Sequence, residues 1–114
     1  MNSPKWLLRD GSVLATTVVA DSYGTRIRGL LGRSGFDGAL LLPRTRAVHS
    51  LGMRFALDVA FLDRDLKVLS VVVLEPWRVT LPRPRARCVL EAEAGAFERW
   101  ELRPGDELEL HDTP

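Results

Sequence analysis

A single cysteine, Cys88, stands in a chain of 114 residues, so no internal disulfide can staple it. With only His49 and His111 beside that thiol, and neither a CxxC pair nor an HExxH run, no spacing suits a metal. No metal and no cofactor are expected. The start lacks the basic opening followed by an unbroken apolar run that a secretory signal needs, because Arg9 and Asp10 interrupt it after Trp6, Leu7 and Leu8. Nor does any apolar run approach the ~18 residues that span a bilayer. A cytoplasmic address without a membrane span is the expectation. Charge of one sign is scarce too: 16 Lys and Arg face 15 Asp and Glu, a net +1, which is not the basic balance of non-specific nucleic-acid binding. No nucleic-acid partner is expected. Missing as well are a GxSxG turn for a serine nucleophile and a Gly-rich phosphate loop.

What is present suits one compact domain. Hydrophobic residues make up 46% and charged residues 27%, enough for a real core at this length. After the Asp10-Gly11 turn, the β-branched stretch 12–20 reads as a strand. The period then changes. From Asp21 or Ser22, the apolar residues Tyr23, Ile27, Leu30 and Leu31 share one face of a short amphipathic helix that Gly32 and Gly35 end. Ala39–Leu42 is a short buried strand. Phe55–Leu62 and Lys67–Leu74 form a hairpin through Asp63-Arg64-Asp65. Pro76, Pro82 and Pro84 keep 76–86 out of the middle of a sheet. Cys88–Ala92 is a strand, Ala96–Trp100 a helical turn, and Glu107–Leu110 a last strand after the Gly105-Asp106 turn. The expected class is α+β with β dominant: a mainly antiparallel small barrel or barrel-like sandwich of about six strands with one amphipathic helix. Residues 1–11 are expected as an N-terminal extension and 12–111 as a single β-rich domain.

Five blocks carry a resemblance: RIRGLLGR at 26–33, ALLLP at 39–43, VHSLGMRFALDVAFLD at 48–63, CVLEAEAG at 88–95 and LRPGDELEL at 102–110. In order and spacing they resemble domain of unknown function 192, also called uncharacterised protein family 0127. The resemblance implies a small β-rich barrel with one helix and no established activity. Members similar to this chain usually carry proline where it has Ala56 and an aromatic residue where it has Cys88, and another branch has Trp-Met in place of His49 and Ser50. An imidazole at that position is therefore not a family-wide requirement. Some members lie near pilus and secretion genes, which implies an accessory role there.

Asp58 is the most informative residue, because a carboxylate within the apolar strand 55–62 needs a partner in place of water. Alternation sets it on one face with Arg54, Ala56 and Ala60, where the alanines leave room for a pocket. The plainer alternative is a structural bond that holds a loop. Residues 38–57 carry Arg44, Arg46 and Arg54 and no acid; residues 76–90 carry Arg78, Arg83, Arg85 and Arg87 and no acid. If the fold brings these loops to one rim, guanidinium forks there could hold a carboxylate or phosphate. The expected ligand-binding set is His49, Arg54, Asp58, Arg87 and Arg46, in a non-catalytic module that recognises an anionic small molecule or a protein segment. The alternative is a small enzyme using Asp58 with His49 or Glu91 as acid and base.

Overall fold

The structure is a computed structural model and describes residues 4–20 and 38–114. The described strands are β1 (Pro4–Arg9), β2 (Ser12–Val19), β3 (Ala39–Pro43), β4 (Leu57–Leu62), β5 (Val68–Leu74), β6 (Cys88–Glu93) and β7 (Glu109–Asp112), with one helical turn, α1 (Ala96–Arg99), between the last two. They form a single sheet in the order β5-β4-β6-β3-β2-β1-β7. Among the described strands only the β2–β3 pairing is parallel. A parallel step needs a long connection, and the 19 residues from 20 to 38 provide it. The helix expected in that stretch lies outside the described residues. None of the described helices is long and apolar enough to cross a membrane.

The β-dominated class expected from the sequence is the one found, with two differences in detail. First, the sheet is not closed by a continuous ladder. Its natural twist brings the edges together, and the residues ahead of β7 bond those that open β5: Val68 N to Asp106 O at 2.8 Å, Gly105 N to Val68 O at 2.8 Å and Leu108 N to Leu66 O at 3.0 Å. Second, residues 4–9 are no appendage. They form β1, paired on both sides, with Leu7 buried and the tight turn Asp10-Gly11 adopting the positive φ values of 51° and 80° that suit a two-residue hairpin. The run Trp6-Leu7-Leu8 is too short to announce a strand by alternation.

The β4–β5 hairpin forms where expected. The Asp63 carboxylate oxygen Oδ1 accepts from the N–H groups of Asp65 (2.9 Å) and Lys67 (3.0 Å), which explains why that turn carries aspartate. The last strand begins two residues later than expected, since Glu107 is used in a lone bridge to Lys67; Leu108 still points inward.

Strands β3, β4 and β6 are buried on both faces, so the sheet separates two cores. On one side Ala60, Leu62, Leu90 and Ala92 pack with Phe97, Leu102 and Leu108 from the C-terminal segment. On the other, Leu57, Val59, Phe61 and Val89 pack under Val48, Met53 and Ala86 from the two long loops. Phe61 is fully buried there, with the Arg83 guanidinium carbon 4.9 Å from its ring centroid.

Cys88 belongs to the first of these cores. Burial, reinforced by the charge of Asp63, pushes its thiol up to about 11 from 9.0. The folded protein thus disfavours the thiolate, and this contribution to stability is intact below pH 9 and lost as the pH rises through about 11. At pH 8 the two-unit shift lowers the thiolate fraction about 100-fold, so iodoacetamide should modify folded Cys88 at least that much more slowly than the unfolded chain. Equal rates would show the thiol to be accessible.

Candidate functional site

The carboxylate of Asp58 faces the C-terminal segment. Its Oδ2 accepts from the backbone N–H of Gly95 at 2.9 Å and of Phe97 at 3.0 Å, across 37 and 39 residues of sequence. These are donors that the first turn of a helix leaves unpaired, and Gly95, at φ 101°, has no side chain to satisfy them. Asp58 thus caps α1 from another strand. Its partners among the described residues are amides, not the arginines that the sequence pattern suggested. Arg9 completes the frame from the other end: its guanidinium donates to Trp100 O (2.7 Å), Glu101 O (3.0 Å) and Asp106 Oδ2 (2.9 Å), holding the segment after α1 against β1.

The acid–base pairings fail on geometry. Asp58 stands opposite Ala92 in the β4–β6 ladder and Glu91 stands opposite Val59, so the two carboxylates point to opposite faces of the sheet. His49 sits in the loop layer over the face that Asp58 does not share. Ser50, next to it, is fully buried, and its Oγ donates to Glu75 O at 2.5 Å and accepts from Arg78 N at 3.0 Å. That hydroxyl is a structural pin between loops.

Those loops, residues 44–56 and 76–86, do meet. Ser50 N donates to Arg78 O (2.8 Å), Thr80 N to Val48 O (2.9 Å), Trp77 N to Ser50 O (3.0 Å) and Arg83 N to Arg46 O (2.9 Å), while His49 bridges Val79 in antiparallel sense. The result is a short two-stranded ribbon lying across the sheet. Its inner face carries Val48, Ser50 and Thr80. Alternation puts His49, Leu51, Trp77, Val79 and Leu81 on the outer face, where solvent reaches 41% of Leu51, 63% of Trp77, 64% of Val79 and 79% of Leu81. An apolar outer face reverses the usual pattern. Trp77 also holds φ 63°, a left-handed conformation that costs a bulky L-residue about 1–2 kcal/mol. Strain of this kind persists where neighbouring contacts enforce it, and here Ser50 does so.

Of the five expected ligand residues, four border this ribbon. Arg46 and His49 lie within it; Arg54 follows its Gly52 turn, three residues before β4 begins. Arg87 bonds Leu62 O through its N–H at 2.8 Å at the far end of β4, about 20 Å away for six extended residues, so Arg54 and Arg87 flank the ribbon rather than share one pocket. Asp58 stands apart on the other face. Reading residues by charge missed the apolar members. None of the seven loop arginines pairs with a carboxylate among the described residues.

The family model described as uncharacterized ACR, DUF192, matches residues 7–110. A UPF0127 protein of Pyrococcus horikoshii is 33% identical over 113 residues, covering 95% of each chain. A UPF0127 protein of Pyrococcus furiosus is 37% identical over 95 residues, covering 79% of this chain and 82% of the relative. Among solved structures, a protein of unknown function from Novosphingobium aromaticivorans superposes with a TM-score of 0.69 at 20% identity, over 93% of this chain and 83% of that one; it supports the fold alone.

Proposed function

Since the chain belongs to the DUF192 family, a family described only as uncharacterized, its residues must supply the functional argument, and from them we propose a non-catalytic binding module whose paired basic loops recognise an anionic partner. One observation carries this reading. Arg44, Arg46, Arg54, Arg78, Arg83, Arg85 and Arg87 stand on two loops without an acid, the loops are bonded backbone to backbone, and no described carboxylate neutralises them. Six of the seven are exposed; Arg87 and Arg78 each commit one guanidinium nitrogen to backbone carbonyls, of Pro84 and Ala86 and of Trp77, and their remaining N–H groups face outward for carboxylate or phosphate oxygens. His49 and Arg46 are the contacts within the ribbon, with Arg54 and Arg87 as outer contacts, whereas Asp58 has the structural role of capping α1. An accessory role beside a pilus or secretion apparatus, which the resemblance implies, is compatible with such a module.

Calorimetric titration with poly-L-glutamate at low ionic strength tests this. Binding should weaken steeply as salt approaches physiological strength, where charges are screened beyond about 8 Å. The double substitution Arg46→Ala/Arg78→Ala, at exposed positions, should lower affinity at least ten-fold without moving the melting temperature. No heat of binding from the native chain, or equal binding by the variant, would overturn the proposal.

A further inference from the structure

The outer face of the loop ribbon carries more than charge, and resting on the reading above we infer that it docks on an anionic lipid bilayer, with Trp77, Val79, Leu81 and Leu51 entering the interfacial layer and the surrounding arginines holding lipid phosphates. The four apolar side chains lie on one face by register: with His49 opposite Val79, the antiparallel pairing places Leu51 opposite Trp77 and residue 47, an alanine, opposite Leu81. They project from a ribbon instead of lining a groove, and the most exposed of them, Leu81 at 79% and Val79 at 64%, are left uncovered by the described residues. A ridge of this shape suits a soft surface that closes around it better than a rigid protein partner, which would need a matching cleft.

Composition points the same way. Tryptophan favours the boundary between headgroups and acyl chains, and arginine beside it can stay with the phosphates while its stem lies along the apolar layer. The anionic leaflet attracts basic segments, and Arg46, Arg54, Arg78 and Arg85 make no ion pair with a carboxylate among the described residues. Trp77 is held out of the usual φ range by bonds from its own N–H and that of Arg78 to Ser50, so the ridge is set before any partner arrives. Preset geometry lowers the ordering penalty of association.

Co-sedimentation of the full chain with large unilamellar vesicles decides the matter, using phosphatidylcholine alone and phosphatidylcholine with phosphatidylglycerol. The native chain should bind the mixed vesicles at least ten-fold more strongly than the neutral ones, with a blue shift of tryptophan emission. Trp77→Ser/Leu81→Ser changes only exposed side chains; it should reduce vesicle binding at least ten-fold yet leave poly-L-glutamate binding unchanged. Inorganic phosphate should not displace the chain from vesicles. Poly-L-glutamate binding without vesicle binding would reject the membrane and keep the anion-binding module; loss of both would reject the two together. Equal vesicle binding by the serine variant, or a dimer in solution that this variant dissolves while vesicles go unbound, would also overturn the inference.

Discussion

Asp58→Ala should destabilise the protein by about 3 kcal/mol, because it strips the acceptor from two N–H groups at once, a buried one at Phe97 and a half-buried one at Gly95, and each such orphan costs about 1–3 kcal/mol. Asp58 is only 5% exposed, so water cannot readily replace the lost oxygen. For a chain of this size the change corresponds to a fall of roughly 10–15 °C in Tm. In urea it should appear as a lower midpoint with an unchanged slope, since the surface exposed on unfolding stays the same. Asp58→Asn keeps an acceptor oxygen of nearly the same shape and should lose clearly less. The comparison separates the two roles open to a carboxylate in an apolar strand. If both variants melt within a degree or two of the native chain, the carboxylate is not a cap, and its place in a ligand site is restored. If Ala falls far and Asn little, the bonds to Gly95 and Phe97 account for its presence.

The same residue shows how far the sequence could be read. That Asp58 needs a partner follows from one charge inside an apolar run, and a bond that holds a loop was the plainer of the two readings. Which loop was not legible, because the partners are backbone amides 37 and 39 residues away and a backbone amide has no residue type. The alternation of β4 and of the last strand was readable because a side chain's face depends only on parity. Strand β1 was not, since Trp6-Leu7-Leu8 shows no period and only one of its two neighbours, β2, is local, while the other is reached through His111 at the far end of the chain. The acid-free loops stood out by composition. Their pairing did not: Pro82 and Pro84 argue against a strand, and the ribbon is held by a few isolated bonds around Ser50 that leave no periodic trace. For that reason charge identified Arg46 and His49, while the exposed face of Trp77, Val79 and Leu81 emerged only from the register.

Ser50→Ala is the second substitution expected to act strongly, and it acts on the ribbon instead of the sheet. The hydroxyl accepts from Arg78 N at 3.0 Å and donates to Glu75 O at 2.5 Å, with Arg78 O a further 3.3 Å contact, and the side chain is fully buried. Removing it leaves one donor and one acceptor without their bond, about 2 kcal/mol in all. The loss falls on the segment that keeps Trp77 at φ 63°, so the strain there gains a route to relax. Amide exchange at Trp77, Arg78 and Thr80 should accelerate roughly thirty-fold, the factor that 2 kcal/mol implies, through local opening of the ribbon. In β4 and β6, exchange should follow only the change in global stability. The backbone bonds Ser50 N to Arg78 O and Thr80 N to Val48 O persist in the variant, so the ribbon should loosen rather than detach. Uniform acceleration across both regions would place Ser50 in the global core. Unchanged exchange at Arg78 would show that the hydroxyl holds nothing in place, and the preset ridge would then need another cause.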